Sequence, residues 1–442
     1  MNKFWKILGA AALALSLPAA NAGDLYVSLE NGKNKNAGTK EEPLKNLWKA
    51  LENAKPGDTI HLAAGQYPGK LKCNWFAVDR PVSIIGGYNA DFSARDPLAN
   101  PTLLQPLNEN NDKTGSGQGI LHIEFKGEFQ KAAGFDMVLD GLIFDDGQAS
   151  SFHAVNGKPE GVETGMWLEP PAKGNTPFPS RNRALLFGRM TSDNAGKITV
   201  RNCVFANGGN YAVLMTAGKG EIKFLNNVFV NNRMIACEVM NANRDPNTVN
   251  MEFANNTVLF TWTRTKTFED MGFGVRANAK MNVNIHHNVI GLSCKTGFDN
   301  TKGDDKTKKI SLDNNIFFLN KESDAQMTIS PSIAKVRVDG FEDLEGSYGI
   351  ESAADNVALK DPKAFAGKIN QAYLEGFLAA SYTEKTDLDE NSPANVFREA
   401  MGLNKRGTIT SKVSMFANRY PLDEVFKLFG AVAGTGAQAV GK

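Results

Sequence analysis

One short segment of the chain places aromatic, basic and acidic side chains close together. Trp262 is followed by Arg264 and Lys266, and then by Asp270 and Arg276. An aromatic ring can stack on a sugar, and a cation can form charge-assisted hydrogen bonds with a carboxylate. We therefore expect Trp262 to contact substrate and Arg264, Lys266 and Arg276 to be the candidate catalytic residues. The alternative is a solvated polar loop in which one tryptophan packs.

A second group of the same kind lies in a longer stretch, residues 145–197. It contains Trp167, Arg181, Arg183 and Arg189, together with several prolines and further aromatic residues. We treat Trp167, Arg181 and Arg183 as candidate substrate-binding residues. The alternative is a loop that folds back over the side of the molecule.

Three aspartates are the candidate metal ligands, because carboxylate oxygens suit Ca²⁺. They are Asp145, Asp146 and Asp270. An adjacent acidic pair in a turn is also typical of a loop cap, and this interpretation is favoured for Asp145 and Asp146.

The four cysteines are Cys73, Cys203, Cys237 and Cys294. They lack the close pairing of a zinc site, and three of them stand in apolar surroundings. We expect buried thiols rather than disulfide bridges.

The middle of the chain repeats one pattern in which an apolar–polar alternation reaches a corner pair, most often Asn-Asn, and then becomes apolar again. The copies start at Ile198, Ile222, Met251, Val283 and Ile310, and a weaker copy starts at Met137. The first corner positions are Asn202, Asn226, Asn255, His287 and Asn314, separated by 24, 29, 32 and 27 residues. Asparagine tolerates the left-handed backbone of a tight corner, and its side chain can hydrogen-bond its equivalent one coil away.

A unit of two short strands joined by a corner cannot bury its own apolar face. Stacking the copies in parallel buries these faces as continuous ladders, which predicts an all-β, right-handed parallel β-helix. In this fold the five corner residues form a structural ladder. We expect that His286 and His287 do not serve one site, because neighbouring residues on a strand point to opposite faces.

The two ends of the chain are expected to differ from the repeats. Residues 1–22 have two lysines, an apolar run and small residues before Ala22, as in a secretory signal peptide. We predict a β-helix over residues 23–320, capped by an amphipathic helix that starts at Pro43, and late coils with a partly helical C-terminal cap over residues 321–442. The helical stretches in that last part are expected at 393–401 and 422–429.

Composition and charge exclude some classes of function. The chain has 442 residues, of which 42% are hydrophobic and 22% are charged, so it can bury a large core. Its formal charge is +1, and removing Lys3 and Lys6 with the leader makes it −1. A nucleic-acid partner is not expected, since no basic stripe is present. We expect no transmembrane segment after signal cleavage, and a monomer.

The N-terminal motifs resemble those of secreted pectate-lyase-like β-helix proteins. These motifs include Leu25-Tyr26-Val27-Ser28 and Pro56-Gly57-Asp58-Thr59-Ile60, and the similarity includes polysaccharide lyase family nine. Ile85-Gly86-Gly87-Tyr88 with Arg95-Asp96-Pro97 is similar to bacterial surface β-helix proteins. Together with the corners, the resemblance covers about residues 24–320.

The resemblance implies a chemistry of β-elimination, in which a Lys or Arg removes a proton beside a uronate carboxylate that Ca²⁺ neutralises. No run in this sequence matches the calcium-and-lysine pattern residue by residue. We therefore expect an exported bacterial protein, secreted, periplasmic or at the cell surface, that binds a polysaccharide or cell-surface glycan along its flank without catalysis. The alternative is a polysaccharide lyase that acts on an acidic, uronate-containing polysaccharide.

Overall fold

The structure is a computed structural model of the chain. It describes residues 22–70, 75–105, 119–146, 184–209, 211–243, 245–262, 271–379, 386–387, 408–409 and 420–440. The expected signal peptide therefore lies almost entirely outside the described residues. In the described part, no helix is both long and apolar enough to cross a membrane.

Three long sheets wind around a common core as a right-handed parallel β-helix, which confirms the predicted fold. Each coil contributes one strand to sheet A, one to sheet B and one to sheet C, in that order along the chain. Within each sheet, every strand pairs in parallel with the equivalent strand of the next coil, except for one antiparallel pair at the end of sheet C.

The strand bounds follow this order. Sheet A comprises Asp24–Val27, Thr59–Ala63, Ser83–Tyr88, Ala133–Asp140, Ala195–Arg201, Lys219–Leu225, Val249–Ala254, Asn282–His286, Lys309–Asp313 and Ile350–Ser352. Sheet B comprises Gly65–Tyr67, Thr102–Leu104, Ile143–Asp145, Val204–Ala206, Val228–Arg233, Thr257–Trp262, Val289–Gly291, Ile316–Phe318 and Val357–Leu359. Sheet C comprises Phe76–Val78, Gly119–Ile123, Ala184–Arg189, Val213–Ala217, Ile235–Asn241, Phe273–Ala277, Thr296–Asn300, Ser323–Ile329 and Ser332–Val336. A short separate ribbon pairs Thr386–Asp387 with Thr408–Ile409.

Among the described residues, helices are few and lie between or after the strands of the coils. The α-helices are Leu47–Asn53, Gln371–Ala379 and Leu422–Phe426, and the 3₁₀ turns are Gly127–Lys131, Val338–Leu344 and Pro362–Phe365. The first helix buries Leu47, Ala50 and Leu51 against the start of the core. It begins after Asn46, not at Pro43, because Leu44 is held in a strand-like bridge to Val27. The expected helix at 393–401 lies outside the described residues.

The corner between sheets A and B has the backbone that its asparagines require. Asn202, Asn226, Asn255, His287 and Asn314 have φ between 53° and 59°, which is the left-handed region. Among the described residues, however, only Asn226 and Asn202 form a direct side-chain hydrogen bond at this position, of 2.8 Å. The first corner position therefore sets the turn rather than a continuous ladder. The rings of His286 and His287 do meet, with their Nδ1 atoms 3.0 Å apart, contrary to the expectation that they point to opposite faces, because the strand ends at His286 and His287 has the left-handed backbone of the corner.

The continuous ladder lies one residue later, where the side chains point into the core. Its members are Asn227, Asn256, Asn288, Asn315 and Asn356, of which the first four are fully buried. Each amide oxygen from Asn256 onward accepts both the backbone N–H and the Nδ2 of the preceding member, at 2.8–3.1 Å. This pattern satisfies the buried polar groups of the corners coil by coil.

The C-terminal region covers one flank of the β-helix. Sheet B has an apolar outer face, which packs against side chains from the last two helices and their surroundings. The residues of this cluster include Val204, Val228, Val230, Leu259, Phe260, Val289, Phe318, Tyr373, Leu374, Phe377, Tyr420, Val425 and Leu428. The outer face of sheet B is thus covered along these coils.

Three of the cysteines are buried and form no disulfide. They are Cys203, Cys237 and Cys294, and Cys73 lies outside the described residues. Burial raises the pKa of the Cys203 thiol to about 12 and that of Cys237 well above its ordinary value. These thiols behave as small core residues.

Candidate functional site

A concave groove lies on the outer face of sheet A. We call it the flank groove, and it has a volume of about 480 Å³. It is lined by Glu221, Lys223, Asn250, Met251, Glu252, Asn282, Val283, Asn284, Lys309, Ser311 and Glu351. These residues come from five consecutive strands of the sheet. Four strand spacings of about 4.8 Å give the groove a length of roughly 19 Å.

The alternation within each strand explains why this face is polar. Ile222 and Phe224 point into the core, so Lys223 between them points outward. The parallel register then aligns the outward positions of successive coils. One row is Glu221, Asn250, Asn282 and Lys309, and the next is Lys223, Glu252, Asn284 and Ser311.

The charges of the flank groove are already paired with one another. Lys223 Nζ lies 3.0 Å from Glu252 and 3.5 Å from Glu221. The hydrogen bond with Glu252 is the main reason that the pKa of Lys223 is raised. Lys309 lies 3.7 Å from Glu351. Three carboxylates thus face two ammonium groups, which leaves an excess of one negative charge.

Amide and hydroxyl groups occupy the positions between these charges. Asn282 Nδ2 donates to Asn250 Oδ1 at 2.7 Å, and Asn282 Oδ1 has no hydrogen-bond partner among the described residues. Asn284 is exposed and Ser311 is half-buried. Such groups both donate and accept, so they match sugar hydroxyls.

A second cluster lies on the outer face of sheet C and contains Arg276. The register aligns Glu238, Arg276, Asp299 and Gln326 on four neighbouring strands. Arg276 Nε donates to Asp299 at 2.6 Å, and its Nη1 lies 3.8 Å from Glu238. Gln326 and Asn278 donate to the two carboxylates, at 3.1 Å and 2.6 Å respectively. We call these five residues the sheet C charge cluster.

Both carboxylates of the sheet C charge cluster are buried. Asp299 is 1% exposed and Glu238 5% exposed. Loss of solvation raises the pKa of Asp299, while Arg276 and Gln326 oppose the shift. Two carboxylates compensate the guanidinium of Arg276, so this residue is better suited to hold them in place than to remove a proton from a substrate.

The ring of Trp262 is not accessible to a sugar, contrary to the expectation from the sequence. It is fully buried, and its Nε1 donates to Asn231 Oδ1 at 2.8 Å. Its ring packs on Phe377 at a centroid distance of 5.2 Å. Trp262 therefore belongs to the covered face of sheet B, and Arg276 belongs to sheet C, so the two are not brought into one site.

Asp145 and Asp146 are buried and accept hydrogen bonds from the neighbouring coils at the end of sheet B. Asp145 accepts hydrogen bonds from Gln105 at 2.7 Å and from Asn207 at 2.9 Å, and Asp146 accepts from the backbone N–H of Gly209 at 3.2 Å. Within the described residues, no group of three or more metal-ligating side chains is close enough to hold a metal ion. The remaining candidates, Trp167, Arg181, Arg183, Arg264, Lys266 and Asp270, lie outside the described residues.

Sequence reasoning missed the partners of Arg276, although a signal for them exists. Glu238, Asp299 and Gln326 each stand eleven residues after the second corner position of their coil, at Asn227, Asn288 and Asn315. Arg276 follows Asn256 by twenty residues because its coil carries an insertion. Counting eleven residues from the second corner position would therefore have aligned Glu238, Asp299 and Gln326, but not Arg276.

Comparisons with known proteins give a family match over a small part of the chain. Residues 30–91 match the family described as "Protein of unknown function (DUF1565)". No curated protein matches the chain.

Two solved structures have low similarity to it. One is described as the complex structure of XylC with xylose, with 11% identity, a TM-score of 0.30, and coverage of 76% of this chain and 65% of that one. This chain thus spans slightly less than two thirds of that protein. The other is a GH136 lacto-N-biosidase from Eubacterium ramulus, with 14% identity, a TM-score of 0.18, and coverage of 77% and 68%. Similarity at this level does not indicate an activity.

Proposed function

We propose that this protein is exported and binds a polysaccharide along the flank groove without cleaving it. The observation that carries the proposal is the polar groove itself, about 480 Å³ in volume and spread over five strands. Its outward side chains lie in aligned rows across successive coils and are polar or charged, so an extended sugar chain in the groove meets a series of donors and acceptors. Its shallow, solvated form suits a long polymer better than a single small molecule.

The test is affinity electrophoresis of the mature chain in gels that contain different polysaccharides. Asn284→Trp places a large ring in the middle of the groove, and no intramolecular hydrogen bond of the Asn284 side chain is lost among the described residues. Ser332→Trp is the matched control, because Ser332 is exposed on the last strand of sheet C. We expect Asn284→Trp to remove the retardation and Ser332→Trp to keep it. Equal retardation of both variants would contradict the proposal.

A second candidate is a polysaccharide lyase that acts on a uronate polymer at the sheet C charge cluster. The observation that favours it is Asp299, a buried carboxyl with a raised pKa, beside a guanidinium. In this reaction a base takes the proton next to the uronate carboxylate, the C–O bond of the leaving sugar breaks, a C=C bond forms, and the leaving oxygen is protonated.

Ultraviolet absorbance of the unsaturated uronate tests the lyase directly. The substrates are pectate, alginate and glycosaminoglycans, each with Ca²⁺, which this chemistry would use as a cofactor. The lyase account predicts a rise that Asp299→Asn and Arg276→Ala abolish. A flat trace for all three substrates rejects this candidate for them and leaves binding as the function.

A further inference from the structure

The charged residues of the flank groove indicate which kind of glycan it binds. Lys223 has two carboxylate partners, and Lys309 has one. A uronate that entered the groove would compete with these partners for each ammonium group. It would also face the excess carboxylate, since Glu221, Glu252 and Glu351 outnumber the two lysines.

The same surface suits an uncharged sugar chain. Asn250, Asn282, Asn284 and Ser311 present neutral donors and acceptors between the ion pairs. Hydroxyl or acetamido groups can bond to these side chains, and to the free lone pairs of the carboxylates, without breaking an ion pair. An uncharged sugar can bind without breaking an ion pair of the groove, whereas a uronate cannot. The groove is therefore expected to prefer uncharged sugars.

We infer that the flank groove selects uncharged, hydroxyl-rich or acetamido-bearing polysaccharides and rejects polyuronates. This inference rests on the proposed function and adds the substrate class to it.

The test measures the affinity of the mature chain for a neutral glucan, a neutral N-acetylated glycan and polygalacturonate, at low and at moderate salt. Only binding that Asn284→Trp removes is assigned to the groove. We expect such binding for at least one neutral glycan, with little salt dependence, and binding of polygalacturonate that is weaker by about tenfold or more.

A charge variant makes the test sharper. In Glu221→Gln/Glu351→Gln two exposed carboxylates are lost, so the groove acquires an excess of positive charge. Two unit charges about 6 Å from a bound uronate in water correspond to about a tenfold gain in affinity for polygalacturonate. Neutral binding should change by less than about twofold on the same grounds. The control Glu128→Gln/Glu342→Gln makes the same change in net charge at exposed positions outside the groove.

The outcomes are distinguishable. Groove-dependent binding of polygalacturonate by the unmodified chain, as tight as that of the neutral glycans, overturns the inference but leaves the proposed function standing. An equal gain in the two double variants also overturns it, because net charge and not the groove would then be responsible. Absence of groove-dependent binding for every glycan overturns the proposed function and the inference with it.

Discussion

Asn256→Ala tests the buried asparagine ladder, which aligns the coils and hence the groove. Asn256 is fully buried and takes part in four side-chain hydrogen bonds of 2.9–3.1 Å: its Oδ1 accepts from the N–H and Nδ2 of Asn227, and its Nδ2 donates to Phe224 and Asn288. At about 1 kcal/mol for each bond, the substitution should lower the free energy of unfolding by about 4 kcal/mol.

The matched control is the neighbouring residue in the same corner. Asn255 has φ of 53°, is half-buried, and donates one hydrogen bond of 3.3 Å to the carbonyl of Gly434. Asn255→Gly keeps the left-handed backbone accessible, so it should cost only about 1 kcal/mol.

The assay is urea unfolding followed by both circular dichroism and tryptophan fluorescence, so that coincident curves justify a single free energy. A cost of Asn256→Ala no larger than that of Asn255→Gly would refute the assignment of the ladder to the second corner position.

Three further predictions follow from the buried groups. Arg276→Ala should destabilise the fold by about 3 kcal/mol at neutral pH. Because the folded-state pKa of Asp299 is raised, the contribution of this group to stability is fully present below its unfolded pKa and is lost as pH rises. The loss of unfolding free energy caused by Arg276→Ala should therefore grow from about pH 4 to about pH 7 in urea titrations. A loss independent of pH would be inconsistent with this coupling. Trp262→Phe should lose the hydrogen bond to Asn231 and about 1–2 kcal/mol of stability, while the affinity for glycan stays the same. A loss of affinity without a loss of stability would show that Trp262 is a binding residue after all. Iodoacetamide should leave Cys203, Cys237 and Cys294 unmodified in the native chain and alkylate them in urea, as read by peptide mass spectrometry; rapid native labelling would show that these thiols are accessible.

The repeats alone were sufficient to predict the fold, because the apolar alternation recurs in successive coils and a polar corner, an Asn-Asn pair in three of them, follows it at the same place. They did not show which asparagine of each pair forms the ladder. That depends on the left-handed residue at the first position, such as Asn255, which turns the second side chain, such as Asn256, toward the core. Both residues are equally polar, so composition does not distinguish them.

The site was less accessible to sequence reasoning, because its residues meet only through the stacking of coils of unequal length. Trp262 was expected to be exposed, since nothing near it in the sequence shows that Phe377 and Tyr373 return to cover its sheet. The flank groove has no distinctive motif. Its lysines, glutamates and asparagines look like ordinary outward positions until the register places them side by side.

The central claim, that glycan binds on the outer face of sheet A, is tested most directly by carbodiimide labelling of carboxylates followed by mass spectrometry, with and without a glycan that the protein retains. We predict that the glycan reduces labelling of Glu221 and Glu351, which line the flank groove, and leaves the exposed Glu128 and Glu342 unchanged. Unchanged labelling of Glu221 and Glu351 by a bound glycan, or protection confined to Glu238 on sheet C, would contradict the account.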